Sequence, residues 1–170
     1  MPPRKMGEPA IKLAHMTLPF LYAVEREYPV SIDALWDAWV SPAALQDWYC
    51  PTDLSVVLGS VENVAVEGGV WTVGVDVSQF NFVAYFWGWY KEVDFLKKMV
   101  HTMHYSQDAE EFAKREPSEL AHDVVIEFED RGGSSWVKFS QFGQLPEGEA
   151  PRAQAGMESY FDNLGKYLAR

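Results

Sequence analysis

The chain has 170 residues, 48% hydrophobic and 23% charged, which suits one soluble globular domain with a substantial core. A net charge of −11 argues against nucleic acid, whose phosphates demand clustered lysine and arginine, and disfavours an anionic membrane surface. The single cysteine, Cys50, excludes an internal disulfide and a cysteine-rich zinc site.

Residues 1–18 contain Pro2, Pro3, Gly7 and Pro9 and lack the apolar run of a signal peptide. They read as a flexible extension of a cytoplasmic protein, and residues 19–170 read as one domain. No apolar stretch has the length of a membrane helix. Residues 20–28 form a first strand with Tyr22, Val24 and Tyr28 on one parity, closed by Pro29. Ser31 then caps a helix whose Ile32, Leu35, Trp36, Trp39 and Val40 follow helical spacing. Ser41-Pro42 starts a second short helix carrying Leu45, Trp48 and Tyr49, and Pro51 stops it.

From there the period changes to two. Residues 61–66 make a strand, and Glu67-Gly68-Gly69 a turn. Residues 70–77 alternate, with Trp71, Val73, Val75 and Val77 facing the core and Thr72, Gly74 and Asp76 facing water. Residues 82–93 are apolar on both faces. Gly88 and Glu92 on one parity favour the other, so Val83, Tyr85, Trp87, Trp89 and Val93 are expected inward. Residues 99–105 follow, with Met99, His101 and Met103 inside. Residues 106–120 are polar, include a short helix near residues 109–115, and read as an insertion at the sheet edge. Residues 122–129 place Val124, Ile126 and Phe128 inward, and residues 135–142 do the same with Val137 and Phe139. The chain closes on an amphipathic helix over residues 150–170, with Ala153, Gly156, Met157, Tyr160, Phe161, Leu164, Tyr167 and Leu168 on one face.

This order predicts an α+β fold: a curved antiparallel sheet of six or seven strands wrapped around a long C-terminal helix, with two short helices after the first strand. A sheet gripping a helix can enclose an apolar cavity. Its expected lining is Trp48, Tyr49, Trp71, Val73, Trp87, Trp89, His101, Met103, Met157, Tyr160 and Phe161, and its expected partner is a small hydrophobic molecule. The same aromatic residues could instead fill the space completely.

Four segments, in order, resemble the family named for the activator of the heat-shock-protein-90 ATPase, within the START-like superfamily. They are YPVSIDALWDAWVSPAALQDWYCP (residues 28–51), EGGVWTV (67–73), GWYKEVDFLKKMVHTM (88–103) and GMESYFDNLGKYLAR (156–170). The resemblance implies the helix-grip fold. Met157 stands where the family often has Trp, and residues 106–120 exceed the usual connection.

Catalytic chemistry finds few residues. His101 and Tyr160 are candidate acid/base groups for a cyclase or dehydratase reading. His101 and His104 lie on opposite faces of one strand and cannot share a metal. Gly68-Gly69 and Gly132-Gly133 are hairpin turns that open no helix, so no phosphate loop is expected. With no HExxH, CxxC or comparable ligand spacing, no metal is expected, and no cofactor either. Cys50 has no neighbouring base. A chaperone-associated interaction role is the third reading, and a homodimer is one possible assembly.

Overall fold

The computed structural model describes residues 18–170. The expected N-terminal extension, apart from Leu18, lies outside them. The elements are β1 (Phe20–Tyr28), α1 (Ile32–Val40), α2 (Pro42–Trp48), β2 (Ser55–Val56), β3 (Glu62–Asn63), β4 (Val70–Val77), β5 (Phe82–Asp94), β6 (Lys98–Ser106), α3 (Ala109–Lys114), β7 (His122–Asp130), β8 (Ser135–Phe142) and α4 (Glu149–Leu168). The strands pair antiparallel in the order β1-β8-β7-β6-β5-β4-β2, and β3 also pairs with β4. The sheet curls as a half-barrel around α4. This is the α+β helix-grip architecture that the sequence predicts.

Local chemistry starts the helices where expected. The Ser31 hydroxyl accepts from the Ala34 amide and the Ser41 hydroxyl from Ala44, with Pro42 in the first turn of α2. The concave face collects Tyr22, Val24, Trp71, Val73, Tyr90, Met99, Val124, Ile126, Phe128, Val137 and Phe139, which meet Met157, Tyr160, Phe161 and Leu164 of α4. Arg26 of β1 pairs with Glu158 and Asp162 at 2.7 and 2.5 Å, and the Tyr28 hydroxyl donates to Phe161 O at 2.7 Å, fixing the helix to the sheet margin. Gly165 leaves room for the Tyr28 ring beside α4.

Two expectations about strand faces are corrected. In β5 the concave residues are Phe86, Gly88 and Tyr90, opposite Val73, Trp71 and His101 respectively. Val83, Tyr85, Trp87 and Trp89 therefore take the convex face. The register then slips between Tyr90 and Glu92, leaving Lys91 and Glu92 against one residue of β6. This bulge resets the phase, so Val93 turns inward opposite Met99 while Glu92 stays exposed. A strand apolar on both faces, with a bulge inside it, has no single parity. In β4 the second face is not wet. Thr72 is buried, its hydroxyl donates to Ser60 O, and the Ser60 hydroxyl accepts from Gly74 N. The loop over residues 57–61 covers that face. The strand expected over residues 61–66 shortens to Glu62–Asn63.

The β5–β6 ladder is interrupted as it passes from Trp87 opposite His104 to Tyr90 opposite His101. Trp89 N donates to the Thr102 hydroxyl, and Thr102 O receives Trp71 Nε1–H at 2.8 Å. A Cβ on Gly88 would sit 1.9 Å from Thr102 O and 2.6 Å from Trp71 Nε1. Gly88→Ala is expected to cost about 2 kcal/mol by overpacking, read as a lower urea midpoint. Gly156→Ala, in open space on α4, is expected to raise stability by about 1 kcal/mol through helix propensity. Equal midpoints for the two variants would contradict this assignment of space.

Candidate functional site

The grip divides into a filled half and an open half. In the filled half, Trp39 is surrounded by the rings of Trp48, Tyr49, Phe128, Phe139 and Phe161 at centroid distances of 4.8, 6.0, 6.4, 6.4 and 5.8 Å. Tyr49 also meets Trp71 at 6.4 Å and Tyr160 at 5.1 Å. What remains between these rings is a cavity of about 20 Å³ bordered by Trp39, Tyr49, Trp71, Val73, Tyr90, Met99 and His101. That is room for a single water. Trp48, Phe161, Met157 and Tyr160 are core residues packed against each other.

His101 sits in this half, 3% exposed, with its ring 4.3 Å from that of Trp71 and 5.6 Å from that of Tyr90. Its Nδ1 lies 2.8 Å from Thr102 O, an obligate acceptor, so Nδ1 carries the proton. Burial pushes the imidazole down to about 4. Burial likewise pushes the Tyr160 and Tyr49 hydroxyls well above the ordinary phenol value. Near neutrality all three are uncharged and buried.

The open half is a pocket of about 730 Å³ at the N-terminal end of α4. Phe86, Met103 and Tyr105 of the concave face, Leu145 and Ala153 give it an apolar wall, and His122 and Gln141 give it a polar floor. Met103 and Trp87 are the expected ligand-facing residues that border it, Trp87 from the convex side. Trp89 lies on that side too, edge-on to His104 at 5.6 Å.

The insertion builds the remaining wall. Phe112 of α3 stacks on Tyr85 at 4.6 Å and meets Trp87 at 6.2 Å edge-on, which covers the convex aromatic residues of β5. His104 stacks on Trp87 at 5.3 Å, bonds Trp87 O through Nδ1 and accepts the Ser118 amide on Nε2 at 2.9 Å. Arg115 binds Glu62 with both guanidinium nitrogens at 3.0 and 3.1 Å. Held at these three points, residues 111–121 bring Glu111, Lys114, Glu116, Ser118 and Leu120 to the pocket. Of its lining residues only Trp87 and Met103 belong to the expected set; among the others, Gln141 and His122 continue the inward alternations of Val137-Phe139 and of Val124-Ile126-Phe128 by one step. That parity was the signal that could have found them. Among the described residues, no three His, Cys, Asp or Glu side chains gather as a metal site, and no helix is long and apolar enough to cross a membrane.

The chain matches the family described as activator of Hsp90 ATPase homolog 1-like protein over residues 29–169. Its backbone is similar to protein CV1439 of Chromobacterium violaceum, with a TM-score of 0.72, 16% identity, and coverage of 88% of this chain and 96% of that one. It is equally similar to the AHSA1 protein of Silicibacter pomeroyi, at TM-score 0.72, 19% identity, and 87% and 96% coverage. A Staphylococcus epidermidis protein gives a TM-score of 0.67 at 22% identity, with 86% and 88% coverage. At these identities the likeness is one of fold. No curated protein matches the chain.

Neutral His101 sets a pH dependence. Its folded pKa lies below the unfolded value, so the unfolded chain binds the proton first and stability falls as pH drops from 6.5 toward about 4. Between about pH 7 and about pH 5 the loss is about 2 kcal/mol. Urea unfolding at both pH values should show this loss in the native protein and its reduction in His101→Gln. An imidazole resonance of His101 that titrates near 6.5 in the folded protein would contradict it.

Proposed function

Because the chain belongs to the family of activator of Hsp90 ATPase homolog 1-like proteins, we propose that it binds a small hydrophobic molecule in the pocket at the N-terminal end of α4. The START-like fold of this family commonly serves hydrophobic ligands. One observation carries the reading: the grip retains about 730 Å³ at its mouth, bordered by Phe86, Met103, Tyr105, Leu145 and Ala153. A volume of several hundred cubic ångströms with an apolar wall and a few polar groups suits a lipid-like or flat polyketide-like molecule.

Position within the grip distinguishes this reading from an enclosed cavity deeper in the fold. The ligand sits toward Met103 and Ala153, beside the insertion, and not between Trp71 and Tyr160. A cyclase or dehydratase would need a proton-transfer group at this pocket. His122 and His104 border it with both ring nitrogens engaged by neighbours, and Glu111, Lys114 and Glu116 border it as further titratable groups. The apolar wall favours binding as the first reading, with a cyclase or dehydratase as the alternative.

Ala153→Phe tests the site directly, since the half-buried methyl of Ala153 faces the pocket from the first turns of α4. Native mass spectrometry of protein from its own host should find a retained small molecule on the native chain. Ala153→Phe should lose it while melting within a few degrees of the native protein. No retained molecule, together with no thermal shift across a panel of fatty acids, sterols and aromatic polyketides, would sink the reading.

A further inference from the structure

The pocket floor has a polarity that the structure fixes through a chain of hydrogen bonds. Gln144 O can only accept, and His122 Nε2 lies 3.0 Å from it, so that nitrogen carries a proton. Nδ1 of the same ring is 2.8 Å from Gln141 Nε2, an amide nitrogen that can only donate, so Nδ1 accepts. Gln141 Oε1 then points away from the ring and receives the Tyr22 hydroxyl at 2.6 Å. The reversed amide would place its oxygen against the ring and require a doubly protonated imidazole.

Space for this chain is built into the backbone. A Cβ on Gly143 would fall 2.3 Å from Cδ2 of the His122 ring, so a glycine there lets the ring lie flat against the β8 terminus. Tyr22 and Gln141 are 4% and 5% exposed, which shields the relay from water on the core side. The amide of Gln141 holds two hydrogens, and His122 takes one. The second has no acceptor among the described residues, and Gln141 borders the pocket.

We propose that the pocket selects ligands bearing a neutral hydrogen-bond acceptor, a ketone, ester or amide carbonyl on an apolar frame, docked on the free amide N–H of Gln141. This rests on the binding role proposed above and names the ligand class. Neutrality follows from the surrounding charge: the carboxylates of Glu111 and Glu116 border the pocket against one ammonium, Lys114, so an anionic head is repelled. The apolar frame lies on Phe86, Met103 and Tyr105. An apolar ligand of the same shape leaves a buried donor unpaired, and a site built around a donor discriminates against such a ligand.

Three probes of one shape test the proposal: acetylnaphthalene, ethylnaphthalene and naphthoate, titrated into the native protein and into Gln141→Leu. Acetylnaphthalene should bind the native protein about tenfold more tightly than ethylnaphthalene, and naphthoate should bind most weakly. Gln141→Leu should bring acetylnaphthalene and ethylnaphthalene to equal affinity. In the native protein the side-chain amide resonances of Gln141 should shift with acetylnaphthalene and not with ethylnaphthalene, a readout that needs no substitution and stands even where Gln141→Leu fails to fold. Equal native affinities, an unshifted Gln141 amide on saturation, or tightest binding of naphthoate would overturn the ligand class while leaving the pocket as a binding site. Failure of all three probes to bind or to perturb any pocket resonance would overturn the binding role and this inference together.

Discussion

The contact of Trp39 with five aromatic rings is the constraint around which the rest of the domain is arranged. It joins α1 to α2 through Trp48, to the sheet through Phe128 and Phe139, and to α4 through Phe161. Offset and edge-on ring pairs of this kind contribute beyond the area they bury. Because they interlock at the closed end of the curl, the grip fills there to a remnant of about 20 Å³. At the other end small and flexible residues, Ala153 and Met103, border the open pocket.

This division assigns separate roles to side chains that composition alone treats alike. Trp39, Trp48 and Trp71 belong to the packed end, and Trp87 and Trp89 to the convex surface beneath the insertion. Residues 106–120 form a cover over convex aromatic residues and, through the same segment, one wall of the pocket. The acidic balance of the chain reappears locally at the pocket rim in Glu111 and Glu116, where it bears on which ligand charge can enter.

Much of the fold was legible in the sequence because the inward residues of β1, β7 and β8 keep one parity along each strand. Tyr22, Val24 and Tyr28, the inward triad of β7, and Val137 with Phe139 all follow strict alternation, and each lies on the core. The heptad-like spacing of α4 identified its buried face in the same way. β5 resisted this reading for a physical reason: the core covers one of its faces and Phe112 covers the other, and the bulge after Tyr90 shifts the phase midway. The expected ligand-facing set was weighted toward large aromatic residues, and most of these met each other. The polar floor was within reach, since Gln141 and His122 occupy the next inward positions of two correctly phased strands. A glutamine and a histidine continuing an apolar series are worth more attention than another tryptophan within it.

The central claim is that a ligand reaches the mouth of the grip and stops at the aromatic pile. The most direct measurement is the set of nuclear Overhauser contacts between a bound acetylnaphthalene and assigned methyl groups of the protein. Contacts to the methyls of Met103, Leu145 and Ala153, with none to Met99, Val73 or Ile126, are the result this account predicts. Contacts reaching Met99 and Val73 would mean that the ring cluster around Trp39 opens to admit the ligand, and would contradict it.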